Sequence, residues 1–477
     1  MKKGIPQKST FSAWFDAVLK EGEFIDIRYG VKGFIVYRPN SMSIVKGLYH
    51  MFESELKKNN HAEALFPLFI PYSSFKKESE HIKGFEDETF MVERAGGEEL
   101  DEKLIIRPTS ETAIYPMYSL WVRSYNDLPL KLFQSVAVYR YETKSTRPLL
   151  RGREFLWIET HDLFLNEEEA KAQIMEDLRV ASKIYDSIGL SFLITEREPF
   201  DRFPGAVESY AYDAVLPTGE VLQIATTHYL GQNFTRPFDV GVLNKEGKRV
   251  LPFSTCCGIG ISRSLGALIA THGDDHGAIV PVGLGMLDVI IIPIYHGGIN
   301  NDVLNYATKV RDEVSLSGLN VTLDTSELTP GEKFYHWELR GIPIRVEIGE
   351  KEVNQNVVTI FRRDNGVRKV VELTKMGSEL NVLKEEINRE LSNRGRDVLS
   401  KALQEVRTKE ELLKASKQKS IMLADFCGRK ECADEIRNAS GGFEIRGRPL
   451  NLDYKLMDKC VWCGNKSLRK VIIAKAY

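Results

Sequence analysis

The sequence predicts an α+β protein: an antiparallel-sheet domain with flanking helices, then an α/β domain, then a small C-terminal α/β module rich in cysteine. Three observations carry that prediction. Over roughly residues 10–280, short β-branched and aromatic runs are joined by turns more often than by helices. A βαβ rhythm then replaces them, and four cysteines in two close pairs lie at the end of the chain.

The elements follow in order. "SIVKGLYHMFESELKKN" has the apolar spacing of an amphipathic helix. "KLIIRP" reads as a strand, followed by a Pro-Thr-Ser turn that delivers Thr109 and Glu111. "LKLFQSVAVYRYE" and "EFLWIETHDLFL" are two strands around a polar loop, with Arg140 and Glu142 before it and Arg151 after it. "NEEEAKAQIMEDLRVASKIYDSIG" is a second amphipathic helix. "SYAYDAVLP" and "VLQIATTHYL" are strands, the latter carrying Gln223, Thr226 and His228. "CCGIGISRSLGALIA" ends a strand in glycines before Arg263 opens a helix. Next, "LDVIIIPIY", "NNDVLNYATKVRDEVSLSG", "NVTLDT" and "PIRVEIG" alternate strand and helix. A polar helical stretch from Glu379 to Ser416 leads to the cysteines, its charges forming a solvated face. The expected domains are 1–284, 285–390 and 391–477.

Composition narrows the function classes. A chain of 477 residues is too long for one ordinary core, and 43% hydrophobic with 28% charged residues is the balance of a folded protein. A net charge of -2 argues against nonspecific coating of nucleic acid while leaving local basic patches open. The N-terminal lysines precede no apolar run, and "LDVIIIPIYH" is too short to span a bilayer. The expectation is a cytoplasmic protein without a membrane segment.

Cys427, Cys432, Cys460 and Cys463 form two short loops, "CGRKEC" and "CVWC", a spacing suited to four thiolates around one structural Zn²⁺. Unpaired structural thiols and a redox pair are the alternatives; a redox reading leaves the second pair idle. With zinc, metal binding would fold a module that otherwise lacks a core.

The stretch "RYETKSTRPLLRGREFLWIETH" concentrates arginines and closes on Trp157, Glu159 and His161. A solvated hairpin is the bland reading. Arg140, Arg151 and Arg263, all next to strands that must pack, are better explained by phosphate and carboxylate ligands, which the guanidinium fork binds bidentately.

The motifs "HIKGFEDE", "RPTSET", "RYETKSTRPLLRGRE", "THYLGQNF", "GDDHG" and "WELRGIPIRVEIG", in that order, resemble class II aminoacyl-tRNA synthetases. Within these the chain is similar to the prolyl-tRNA synthetases of the archaeal and eukaryotic-like type, over essentially its whole length. The resemblance implies an ATP-dependent ligase that forms prolyl-adenylate and transfers proline to tRNA(Pro). It implies that Arg140 orients the α-phosphate and the proline carboxylate as a catalytic group. Arg151 and Arg263 would hold ATP, Arg263 also acting in catalysis, with Glu142, Gln223 and Thr226 contacting the nucleotide. Thr109 and Glu111 would receive the proline ammonium, with Trp157, Glu159, His161 and His228 around it. Mg²⁺ is implied by the departing pyrophosphate.

By the same resemblance, Glu338 and Arg345 would read anticodon guanines, although a surface salt bridge between them explains the pair equally well. Tyr477 resembles a terminal tyrosine folded back on the catalytic domain. A homodimer through the "VYRPNSMSIVKGLYHMFE" region is implied. No long insertion separates motif 2, "RYETKSTRPLLRGRE", from motif 3, "CCGIGISR", so no bacterial-type editing domain is expected. Cys256 and Cys257 stand where the motif resembles its bacterial form, and no adjacent base marks either as catalytic. The rivals are another class II specificity, threonine being the nearest, and a noncatalytic tRNA-binding paralogue.

Overall fold

A computed structural model describes residues 4–77, 86–295 and 298–477; residues 81–85 of the "HIKGFEDE" motif lie outside these. The organising element is a sheet of eleven strands. Its middle is antiparallel, running from Leu130–Tyr139 through Glu154–Phe164, Phe253–Gly260, Val221–Gly231 and Glu208–Val215 to Phe192–Glu196. Side chains alternate across each strand, so every one has a site face and a core face. On Glu154–Phe164, Trp157, Glu159 and His161 line a cavity, while Ile158 joins the core beneath the helices.

Three helices cover the core face. Pro39–Lys58 starts with proline at its first turn, where the missing N–H costs nothing, and buries Ile44, Val45, Leu48, Phe52 and Leu56. Glu167–Ser187 is capped by Asn166, which accepts from the Glu169 amide, and three glutamates in its first turn suit the positive end of the helix dipole. Its buried stripe includes Ile174, Leu178, Ala181 and Ile184. The helix Ile261–His272 is buried almost throughout and follows the strand that ends in Gly260.

The second domain holds a five-stranded sheet, ordered Val321–Leu323, Val289–Pro293, Ile344–Ile348, Val357–Arg362, Arg368–Glu372. The first three are parallel, as the βαβ rhythm requires, and the last two add antiparallel. Val289–Pro293 and Ile344–Ile348 are buried at every residue, the signature of a sheet covered on both faces. The helix Met376–Ala402 buries Met376, Leu380, Leu383 and Ile387, exposes most of its charges, and runs on through residue 390.

The C-terminal module departs from the expectation of a piece without its own core. Leu412, Met422, Phe426, Ile436, Phe443, Val471 and Ile473 form one. The module is also not separate: Phe443–Pro449 pairs with Phe192–Glu196, so its strands extend the sheet of the first domain. Gly447 permits this junction, because its φ is 113° and a Cβ there would lie 2.1 Å from the Glu196 carbonyl oxygen. Pairing between strands about 250 residues apart leaves no local periodicity to read.

Candidate active site

A cavity of about 220 Å³ opens on the site face of the central strands, lined by Thr109, Glu111, Arg140, Trp157, Glu159, His161, Gln223, Thr226 and His228 among others. Thr109 lies in the turn after the strand Glu98–Ile106, and Glu111 is the first residue of the helix Glu111–Trp121. The Thr109 hydroxyl donates to Glu111 Oε2 at 2.5 Å, fixing the carboxylate with its remaining lone pairs available.

Glu159 is buried, which by itself favours its neutral form. His161 Nε2 at 2.9 Å, the Gln134 amide at 2.7 Å and the Ser110 hydroxyl outweigh this and hold the carboxyl below its usual range. His161 shows the converse: burial lowers it, yet Glu159 raises it above the ordinary imidazole value. Glu159 and His161 thus each favour the other's charged form against the effect of burial. His228 differs. Burial, reinforced by Arg197, pushes it down to about 3, so it is neutral, with Nδ1 2.8 Å from Ser209 Oγ and its ring 4.8 Å from that of Phe203. Trp157 Nε1 and His161 Nδ1 are buried without a hydrogen-bond partner among the described residues, and both residues line the cavity.

Arg140 also lines a second, smaller cavity of about 80 Å³, together with Glu88, Glu142, Arg151, Phe155 and Arg263. Its Nε donates to the Pro108 carbonyl at 3.1 Å, and its guanidinium lies 5.3 Å from the Phe155 ring and 5.8 Å from that of Trp157. Arg263 donates to the carbonyls of Leu150 and Gln223, each at 3.0 Å. Burial, then Arg140 and Arg151, push Arg263 down to about 10, so it keeps its charge. Glu142 lies 3.8 Å from Arg151. Three guanidiniums and the carboxylates of Glu88 and Glu142 thus line this space. Arg151 also donates to the Tyr477 carbonyl at 2.5 Å, and the Tyr477 amide donates to Val221, so the last residue is tied to the catalytic domain.

Other arginines of the motif 2 loop are engaged elsewhere. Arg147 bonds Ser12 and Asp16 of the first helix, and Arg153 lies 3.9 Å from the Tyr141 ring. Cys256 and Cys257 line the first cavity, but burial pushes both thiols well above their usual range, leaving them neutral. Sequence reading passed over Ser110 and Gln134, which hold Glu159, and Arg197, Phe203 and Ser209, which complete the wall. Arg197 had one weak signal, an arginine following the apolar strand "FLITE".

The four C-terminal cysteines converge, with sulfurs mutually within 4.8 Å and Cys427 to Cys463 at 3.8 Å. That separation is close to the edge of a tetrahedron whose centre lies about 2.3 Å from each sulfur, the Zn–S distance. In the second domain Glu338 and Arg345 do form an ion pair, at 2.8 Å, but not on the surface. Arg345 is buried, also bonded to Glu347 at 2.9 Å, and sandwiched between Phe334 and Phe361 at 3.8 and 4.0 Å. A cleft of about 560 Å³ opens beside it, lined in part by Arg363 and Arg368.

Three family models match the chain in tandem: the tRNA synthetase class II core domain (G, H, P, S and T) over 90–272, an anticodon binding domain over 288–383, and the prolyl-tRNA synthetase C-terminal domain over 409–477. A proline–tRNA ligase of Thermofilum pendens is 44% identical over 476 residues, covering 99% of this chain and 98% of its own. The chain belongs to the prolyl-tRNA synthetases of class II. A proline–tRNA ligase of Methanopyrus kandleri is 38% identical over 98% of this chain and 96% of its own. Among solved structures, Giardia lamblia prolyl-tRNA synthetase in complex with prolyl-adenylate superposes with a TM-score of 0.95 at 34% identity, covering 99% of each chain. The Cryptosporidium parvum prolyl-tRNA synthetase complexed with halofuginone and AMPPNP gives 0.96 at 29% identity, again over 99% of each chain. In this chain the two cavities lie side by side and share Arg140.

Proposed function

We infer that the chain is an ATP-dependent ligase that joins L-proline to tRNA(Pro) through prolyl-adenylate. The observation that carries this reading is Arg140, which lines both cavities. The larger takes proline: Thr109 and Glu111 receive the secondary ammonium, and Trp157, Glu159, His161 and His228 enclose the ring. The smaller, with its surroundings, takes the phosphates of ATP beside Arg140, Arg151, Arg263 and Glu142, while Gln223 and Thr226 reach the nucleotide. Arg140 then holds the proline carboxylate and the α-phosphate together. Its contribution is orientation and charge neutralisation, so the carboxylate oxygen attacks phosphorus while pyrophosphate leaves, with no proton transfer and no protein nucleophile. In the second step the terminal ribose hydroxyl of tRNA attacks the acyl carbon and releases AMP.

Glu88 and Glu142 are the carboxylates on the smaller cavity, the hard oxygen donors that suit Mg²⁺. When bound, Mg²⁺ neutralises charge on the departing pyrophosphate. Cys427, Cys432, Cys460 and Cys463 would hold a structural Zn²⁺ that fixes the loops of the C-terminal module. Glu338 and Arg345 would read anticodon bases, trading their mutual pair for guanine edges at the cleft, with Phe334 and Phe361 flanking the arginine. The domain limits 1–284, 285–390 and 391–477, and a homodimer formed through the Val36–Glu53 region, belong to the same proposal.

Between motifs 2 and 3 the chain is occupied by the helix Glu167–Ser187 and strands that build the site. An editing insertion is not part of this reading, and proofreading, if any, would be done elsewhere. No described helix is long and apolar enough to cross a membrane. A cytoplasmic location belongs to the same proposal, supported by the tRNA substrate and by six cysteines that form no disulfide.

The test is amino-acid-dependent exchange of labelled pyrophosphate into ATP, comparing proline, threonine, alanine and cysteine. Strong exchange with proline and far weaker exchange with the others is expected. Silence with all four from folded protein would overturn the reading in favour of a noncatalytic tRNA binder, and preference for threonine would reassign the substrate.

A further inference from the structure

The C-terminal module reaches the catalytic cavity through one shared carboxylate. Asp213, on the strand Glu208–Val215, is buried, and Arg446 of the module grips it with both arms of its fork: Nη2 to Oδ1 at 2.9 Å and Nε to Oδ2 at 3.1 Å. Arg197 donates to the same carboxylate at 3.2 and 3.3 Å, and to the Arg446 carbonyl at 2.8 Å. Its Nη2 also donates to Gln223 Oε1 at 3.0 Å. An arginine can only donate, so the Gln223 oxygen must face Arg197 and its NH₂ must point away from it. Arg197 and Gln223 both line the larger cavity. Both arginines are nearly fully buried, so the geometry is set by these bonds and not by solvent.

We propose that Arg446 is a positioning residue for adenylation: through Asp213 and Arg197 it fixes the Gln223 amide with its NH₂ group available as a donor to the bound adenylate. The C-terminal module is then part of the active site's second layer, and not only a structural appendage. This rests on the proline-activating reading above, and the experiment separates the two.

Pyrophosphate exchange is measured at saturating and limiting proline and ATP for wild type, Arg446→Gln, Gln223→Ala and the double variant, with melting temperatures alongside. Arg446→Lys serves as the milder variant if Arg446→Gln does not fold. Arg448→Ala controls for the seam, because Arg448 binds Glu196 at the same strand junction and is absent from the cavity lining. The expected result is a loss of about tenfold to hundredfold in kcat/KM for Arg446→Gln. The double variant should be little worse than Gln223→Ala alone, and Arg448→Ala should lose melting temperature without losing kcat/KM. Folded Arg446 variants with wild-type kinetics, or strictly additive losses with Gln223→Ala, would overturn the proposal. A wild-type protein inactive with proline would instead sink the functional reading.

Discussion

Replacing Glu159 by glutamine isolates the electrostatic centre of the proposed proline pocket. The carboxylate accepts from Gln134, from His161 and from the Ser110 hydroxyl. Glutamine keeps the shape and one acceptor oxygen, but its NH₂ must face one of these donors. Bonds to a charged group contribute about 1.5–3 kcal/mol and neutral ones about 0.5–1.5, so two weakened bonds cost about 2 kcal/mol. The donor left unmatched adds about 1–3 kcal/mol. The sum, about 3–5 kcal/mol, agrees with the cost of removing one partner from a buried ion pair. His161 simultaneously loses the main support for its raised pKa. The sign can be followed with pH. The depressed Glu159 contributes stability present above its unfolded value, about 4.3, and lost as pH falls through its lower folded value. The raised His161 contributes stability present below about 6.5 and lost as pH rises through its higher folded value. The penalty for Glu159→Gln should therefore be largest between about pH 4.3 and 6.5, shrinking in stronger acid and as pH rises through neutrality. If about 3 kcal/mol of it appears in substrate binding, the proline KM rises by about a hundredfold, with the ATP KM little changed. Proline titrations in pyrophosphate exchange, with urea melts across pH, measure both. A proline KM within twofold of wild type and an unchanged melt would refute the argument.

Other consequences can be checked alongside. Arg140→Lys replaces a planar fork by a point charge between the two cavities, so kcat should fall by at least about a hundredfold while the fold is retained, as read by exchange kinetics and circular dichroism. Behind the sheet, Asp177 accepts from Thr227 and Gln173, and burial with the nearby Asp162 pushes it up to about 7. Its contribution to stability is full below the unfolded value of about 3.9 and is lost as pH rises through 7. Melting temperature should thus fall as pH rises from about 4 to about 7 in wild type and level off above that, and fall less in Asp177→Asn. If the four cysteines hold zinc, Cys460→Ser should abolish stoichiometric zinc in elemental analysis and lower the melting temperature, whereas retention of the metal would exclude that ligand.

Most of the fold was legible because its signals are local. β-Branched and aromatic runs marked the strands Leu130–Tyr139, Glu154–Phe164 and Val221–Gly231, and helical spacing marked Pro39–Lys58 and Glu167–Ser187. The family resemblance carried by the ordered motifs also named residues that now surround the cavities, Thr109, Arg140, Trp157 and His228 among them.

What the sequence by itself determined is thus the inventory of strands, helices and chemically equipped segments, because backbone period and side-chain type act over a few residues. Tertiary structure decided how distant segments share a site. Ser110 and Gln134 acquire their role only when a turn and a strand bring them to Glu159. The guanidinium of Arg345 is sequestered because two phenylalanines and two carboxylates from neighbouring elements close around it. Arg446 meets Asp213 because Gly447 lets a C-terminal strand pair with the catalytic sheet, an interaction across 233 positions. Such contacts depend on strand order and on desolvation, which are properties of the assembled sheet and leave no periodic trace along the chain.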